Sequence, residues 1–237
     1  MGYGFKIIVE GDYACFSRPE MKVERVSYDV PTPGALEGLI KSIYWKPSIR
    51  IVIDKIVVFN PIKFTNIRRN EKREKILLSN IKNQIKNHTA YKGEFTINQR
   101  TAMVLKDVKY GIEFHFELTN LKNEHNDECE EKHYNIMLRR LKNGQCFRQP
   151  CFGMKEFAVK SIKLVEDFPV ENISPELEGD IDLGYMLYRM DFKDKGVPVN
   201  NDWENPVFLD LADPQFYRPK MINGVIDVKK YREGCVC

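Results

Sequence analysis

The sequence predicts an α+β protein, and three observations carry that reading. Short runs place apolar residues at alternate positions, the period of a strand with one buried face. Two other segments repeat apolar residues at three- and four-residue spacing, the period of a helix with one buried stripe. The texture then changes near residue 165, where the charge balance reverses and prolines begin to punctuate the chain. With 237 residues, 43% of them hydrophobic, there is material for one sizeable core or two modest ones. Two domains are expected, residues 1–165 and residues 166–237.

Phe5, Ile7 and Val9 alternate in an opening strand that Gly11-Asp12 ends. After a long connection, Thr32 caps a helix with Pro33 at its first position, where a missing N–H costs nothing. Leu36, Leu39, Ile40 and Ile43 draw its buried stripe, and Pro47 stops it. Tyr44 closes this helix about 40° around the wheel from Ile40, so it falls at the edge of the stripe and its phenol can reach outward. Ile49, Ile51 and Ile53 begin the next strand, which continues through Ile56, Val57 and Val58 to Pro61. Residues 63–86 read as part helix and part loop. Met103 to Leu118 alternates again, with a break at Gly111.

A second helix is drawn by Tyr134, Met137, Leu138 and Leu141 at i, i+3, i+4 and i+7. Asn126 and Asp127 offer caps, and Glu128, Glu130 and Glu131 precede or open its first turn. Arg139, Arg140 and Lys142 close the last turn before Asn143-Gly144. Phe157 to Val165 is the final strand of the N-terminal part. Strand, helix, strand, strand region, helix, strand is the plan of ferredoxin-like domains, which RNA-recognition-motif modules share. From Asp167 onward Pro169, Pro175, Pro198, Pro206, Pro214 and Pro219 separate short strand-like runs such as Tyr185 to Phe192, which reads as a smaller β-rich domain.

Charge narrows the function classes. The formal net charge of +3 conceals an acidic C-terminal part, with 8 Lys/Arg against 15 Asp/Glu over residues 166–237, and a basic remainder. Residues 63–86 alone carry Lys63, Arg68, Arg69, Lys72, Arg73, Lys75, Lys82 and Lys86 against Glu71 and Glu74, a footprint suited to a polyanion. No apolar run approaches the ~18 residues of a membrane span and no secretory signal is evident, so a soluble, cytoplasmic protein is expected. The six cysteines show no CxxC spacing, and Cys235-Val-Cys237 is a poor zinc site. Reduced thiols are expected.

No G-x-S-x-G turn and no G-x-x-x-x-G-K phosphate loop occurs, and the G-x-G at Gly2 and Gly4 precedes a strand, the wrong side for a dinucleotide site. Asp180-Ile181-Asp182 is a carboxylate pair that reads as a solvated loop rather than a magnesium site. His115, between Phe114 and Phe116, reads as a satisfied strand residue, and His88 and His125 lie in polar surroundings. No metal and no cofactor is predicted.

Lys132-His133-Tyr134 is the one grouping that suggests chemistry. It stands at the head of the second helix, where unpaired N–H groups favour an anion. An imidazole titrates near neutrality and can move a proton while a neighbouring ammonium holds negative charge, an arrangement suited to phosphodiester cleavage without a metal. From this helix alone the plainer reading is favoured, with His133 capping or packing and Lys132 a solvated charge, and Tyr44 taken alone reads as a packing aromatic.

Tyr44-Trp45-Lys46-Pro47 and Glu131-Lys132-His133-Tyr134 resemble segments of the Cas five family of CRISPR systems, in its subtype I-C branch. Gly11-Asp12-Tyr13-Ala14, Ser27-Tyr28-Asp29-Val30-Pro31-Thr32, Lys106-Asp107-Val108 and Phe116-Glu117 reinforce the resemblance, which covers most of residues 3–145. It implies an endoribonuclease that recognises the repeat stem-loop of CRISPR precursor RNA, cuts at the stem's base and stays in the effector complex. It also implies Tyr44, Lys132 and His133 as the catalytic trio. The glycine-rich loop usual in the superfamily is reduced here to Gly153 within Phe152-Gly153-Met154-Lys155.

A duplex stem with single-stranded flanks needs cations along its phosphates, and Arg68, Arg69, Lys72, Arg73, Arg139 and Arg140 are the candidates. The expected partners are the repeat RNA, the mature guide RNA and the other subunits of a type I-C effector complex, with DNA contact inside that complex left open. The alternative reading is a non-catalytic relative that only holds the 5′ handle of the guide RNA. A generic RNA-recognition module is disfavoured, because the opening strand lacks the aromatic pattern that stacks bases.

Overall fold

A computed structural model describes residues 4–232 apart from 22, 74–76, 91–95, 120–128, 195–196, 203 and 210. Gly2, Glu74, Lys75, His125, Asn126, Asp127, Glu128, Cys235 and Cys237, named above, lie outside the described residues.

The elements in chain order are β1 (Gly4–Ala14), α1 (Pro33–Ile43), β2 (Ile49–Val58), β3 (Phe64–Lys72), α2 (Leu78–Lys86), β4 (Ile97–Leu118), α3 (Glu130–Asn143) and β5 (Ser161–Val165). They continue as β6 (Asp180–Asp182), β7 (Met186–Phe192), β8 (Ala212–Tyr217), β9 (Lys220–Ile222) and β10 (Val225–Asp227). The main sheet is antiparallel in the order β5-β1-β4-β2-β10-β9-β6, with β3 paired to the first half of β4, while β7 and β8 form a ribbon of their own. The acidic segment after residue 165 therefore supplies three strands to the same sheet through the β10–β2 pairing.

The helix starts and stops follow from local chemistry. The Thr32 hydroxyl accepts from the Ala35 N–H at 3.3 Å, with Pro33 at the first helical position, a cap of about 1 kcal/mol. Helix α1 ends at Ile43, short of Pro47, and Tyr44 leaves it in an extended conformation with φ −152° and ψ 130°. Gly144 closes α3 in the left-handed conformation with φ 64°, its N–H bonded to the Arg140 carbonyl. Helix α1 lies against β2 and β7, α3 lies against β5, and the two helices touch each other. Phe5, Ile7 and Val9 of β1 join Ile51 and Ile53 of β2, Ile112 and Phe114 of β4, and the buried stripes of α1 and α3 in one core.

The structure revises several expectations about elements, and β1 runs on past Gly11-Asp12 to Ala14, still paired with β4. The basic block begins as a strand, β3, rather than as helix or loop, held by its register with β4 from Phe64–Leu105 to Lys72–Ile97. Gly111 does not break β4, which runs continuously; it is a close-packing position, where a Cβ would sit 2.8 Å from a ring carbon of Phe168. The irregular point is Asp107, with φ 53°, whose carbonyl accepts from the Asn60 amide at 2.7 Å. Strand β5 starts at Ser161 rather than Phe157.

Candidate active site

The extended turn at Tyr44 decides where its ring goes. Had α1 continued, the phenol would stand at the stripe's edge; instead successive side chains project to opposite sides, as in a strand. Tyr44 turns inward and is 3% exposed, whereas Trp45 is 48% exposed. This corrects the outward-reaching phenol expected from the helical wheel.

Helix α3 meets it with three side chains on one face. His133, Met137 and Leu141, spaced by four residues, are buried, and His133 is 1% exposed. The Tyr44 hydroxyl and His133 Nδ1 are 2.8 Å apart. On the other side of the ring, His133 Nε2 lies 3.4 Å from the Ser48 hydroxyl, and Phe116 of β4 presents its ring edge-on at 6.2 Å between centroids. Arg140, two helical turns after His133, places its guanidinium 5.2 Å from the centre of the Tyr44 ring and donates to the Ile43 carbonyl. One helix thus holds both the hydroxyl and the face of a phenol delivered by the other. Lys132 is half-buried in the first turn of α3, beside His133 in sequence but on an adjacent face of the helix.

A phenol and an imidazole in direct hydrogen-bond contact can pass a proton between them. Ser48, Phe116 and Arg140 also border the pair. Arg140 had one usable sign in the sequence, its i+7 relation to His133; Ser48 and Phe116 arrive only through tertiary packing.

The proposed phosphate contacts are divided by strand alternation. Arg68 and Lys72 stand on the exposed face of β3. Arg69 faces the other way, ion-paired with Glu156 and lying 5.4 Å from the centre of the Phe157 ring, while Glu71 on that same side binds Arg25 at 2.7 Å. Arg73 follows the strand and is exposed, and Arg139 is exposed on α3. Arg140 is engaged with Tyr44.

Elsewhere, His115 is gripped by Asp54 at 2.6 Å, and Arg232 binds the second oxygen of Asp54 at 2.8 Å. Asp180 and Asp182 lie in a strand, not a loop, and are ion-paired with Lys220 at 3.0 Å and Arg218 at 2.5 Å. Among the described residues no helix is long and apolar enough to cross a membrane.

The chain is thus an α+β protein, an antiparallel sheet with α1 and α3 packed together on it and a buried phenol–imidazole contact between those two helices. A solved structure described as a CRISPR-associated protein superposes with a TM-score of 0.62 at 24% identity, covering 95% of this chain and 91% of that one. Residues 5–229 match the Cas_Cas5d family model, described as CRISPR-associated protein (Cas_Cas5), and the chain belongs to that family. It is 41% identical over 238 residues to a protein of Mannheimia succiniciproducens named CRISPR pre-crRNA endoribonuclease Cas5d, covering 98% of this chain and 97% of the relative. A protein of the same name from Thermus thermophilus is 34% identical over 237 residues, covering 96% and 93%.

Proposed function

We propose that this protein is a metal-independent endoribonuclease that recognises the repeat stem-loop of CRISPR precursor RNA, cleaves it to mature guide RNA and remains as a subunit of a type I-C effector complex in the cytoplasm. The single observation that carries the proposal is the 2.8 Å contact between Tyr44 and His133. The names of the two relatives support the substrate. Residues 1–165 are read as the catalytic and RNA-binding part, and the strand order β5-β1-β4-β2, with α1 and α3 between its strands in sequence, as the ferredoxin-like plan.

In the proposed reaction the 2′-hydroxyl of RNA loses its proton and attacks the adjacent phosphorus. The bond to the 5′ oxygen breaks, and that oxygen takes up a proton. His133 and Tyr44 divide the base and acid roles, and Lys132 neutralises the charge gathering on the phosphoryl oxygens. The products are a 2′,3′-cyclic phosphate and a 5′-hydroxyl end, and no atom of a metal is needed to balance the step. With His133 1% exposed and Tyr44 3% exposed, RNA binding has to uncover the pair before either can act.

That burial favours a second reading, in which the pair is structural and the protein holds the 5′ handle of a guide RNA without cutting. One assay separates the two. Purified protein is incubated with its repeat RNA in EDTA, comparing wild type with Tyr44→Phe, Lys132→Ala and His133→Ala, with circular dichroism confirming the fold. Cutting by wild type without metal, slowed by at least ~10²-fold in each folded variant while binding persists, is the expected result. Metal-dependent cutting, or full activity in all three variants, rejects the mechanism; binding without cutting by wild type establishes the second reading.

A further inference from the structure

We propose that the groove beside Trp45 is a stacking site for an unpaired nucleobase flanking the RNA stem. This rests on the RNA reading above and adds a specific subsite to it. The groove, about 730 Å³, runs between α1, the start of β2 and the β7 strand. Two large rings stand in it, Trp45 at 48% and Phe192 at 50% exposure, and neither has an aromatic or cationic partner among the described residues. Several other rings are paired with one another or lie under guanidinium groups, as Tyr44 lies under Arg140 and Phe157 under Arg69, whereas Phe64, Phe147 and Phe208 are exposed outside this groove. Trp45 and Phe192 are the exposed rings that line this groove.

The polar lining favours a nucleotide over an apolar peptide segment. Lys41, Arg50 and Arg189 line the groove with Glu37 and Asp191. Lys41 is matched by Glu37 at 3.5 Å, and Arg50 is matched by Glu117. Arg189 is held instead by the neutral amide of Gln215 at 3.0 Å, and no carboxylate pairs with it among the described residues. A flat aromatic surface in one groove with a guanidinium that no carboxylate contacts directly, Glu37 acting on it only at longer range, suits a base and its phosphate: the π-face stacks regardless of sequence and the cation meets the backbone charge.

The position fits the proposed chemistry. Because Tyr44 is extended, its phenol and the Trp45 indole leave adjacent residues on opposite sides, one facing His133 and the other facing the groove. A strand held for cleavage at the first can lay a neighbouring unpaired base on the second. A paired base could not do so without leaving its stack.

The test uses the full chain and a repeat stem-loop whose cleavage is blocked by a 2′-deoxy substitution at the scissile nucleotide. Affinity is measured in EDTA for three probes: the stem with its single-stranded flanks, the same RNA with abasic flanks, and the blunt stem. Trp45→Ala is expected to weaken binding of the flanked RNA by roughly 5- to 150-fold, with no loss on the abasic or blunt probes, and Trp45→Phe should restore most of it. Phe192→Ala, more distant from the Tyr44 turn, should reproduce the same probe dependence. Equal affinity of Trp45→Ala and wild type for all probes overturns the proposal and leaves the groove to a polypeptide partner. An equal loss on all three probes overturns it too, as a purely structural effect. Wild type that cuts repeat RNA normally while either of those results is obtained loses only this subsite; wild type that neither binds nor cuts the RNA loses the functional reading as well.

Discussion

The hydroxyl of Tyr44 lies 2.8 Å from Nδ1 of His133 across 89 residues of sequence, and both groups are buried. Neither helix alone places them there: α1 has to end at Ile43, and α3 has to turn its 133, 137, 141 face to the sheet. A buried hydrogen bond of this kind couples the two helices energetically as well as chemically. Tyr44→Phe leaves a ring nitrogen without its hydroxyl partner and should cost about 1–3 kcal/mol in urea unfolding. A double-mutant cycle with His133→Phe should show a coupling of about 0.5–3 kcal/mol; additive losses would mean that the contact is incidental.

Arg140 should behave as a positioning residue for Tyr44. Arg140→Met removes the guanidinium from the ring and from the Ile43 carbonyl. The expected outcome is a fall in kcat with little change in RNA affinity or in its salt dependence, measured by single-turnover cleavage and by titration at several salt concentrations. A reduced salt slope would make Arg140 a phosphate contact instead.

The two faces of β3 predict a split among the basic residues. Arg68→Ala and Arg73→Ala should each lower the slope of log affinity against log salt by about 0.7–0.9, the value of one released counterion. Arg69→Ala should leave the slope unchanged, because its charge is already committed to Glu156. Equal slopes in all three variants would remove β3 from the RNA path.

Glu37 carries a pH signature. Burial pushes its carboxyl above the ordinary value, with Lys41 and Arg189 pulling back. A carboxyl whose folded pKa exceeds its unfolded one favours the native state below the unfolded value, about 4.3, and that advantage is lost as pH rises through the folded value. Glu37→Gln should therefore gain stability relative to wild type between pH 4 and pH 7, read from urea midpoints at each pH. A constant difference would place Glu37 in water.

Gly153 tolerates no side chain. Its φ is +79°, and a Cβ would lie 2.0 Å from the Cys15 carbonyl oxygen, a backbone atom that cannot step aside. Gly153→Ala should destabilise by more than about 1 kcal/mol, seen as a lower Tm in calorimetry.

Much of this architecture is legible because it is local. Thr32-Pro33, the alternation of Phe5, Ile7 and Val9, and the spacing of Met137 and Leu141 each encode an element within a few residues. Strand β3 is hidden because both of its faces carry polar or charged residues, so no period-two apolar signal exists; its partner β4 decides its conformation. The inward turn of Tyr44 is hidden for a related reason, since the helical wheel assumes a helix that in fact stops one residue earlier. At the site, Lys132-His133 and Tyr44 stand out as chemistry-bearing residues, but the burial of His133 is set by the stripe it shares with Met137 and Leu141. The pairing of β10 with β2 joins residues too distant in sequence for any pattern to announce.

That last pairing has a consequence during synthesis. Strand β2 emerges from the ribosome with Val58, yet the strand that hydrogen-bonds its outer edge ends at Asp227. At about 5–20 residues per second the nascent chain carries that apolar edge bare for on the order of ten to thirty seconds. Until the last strands arrive, that edge of β2 can pair with another chain, so synthesis is the stage at which edge-to-edge association has its opening.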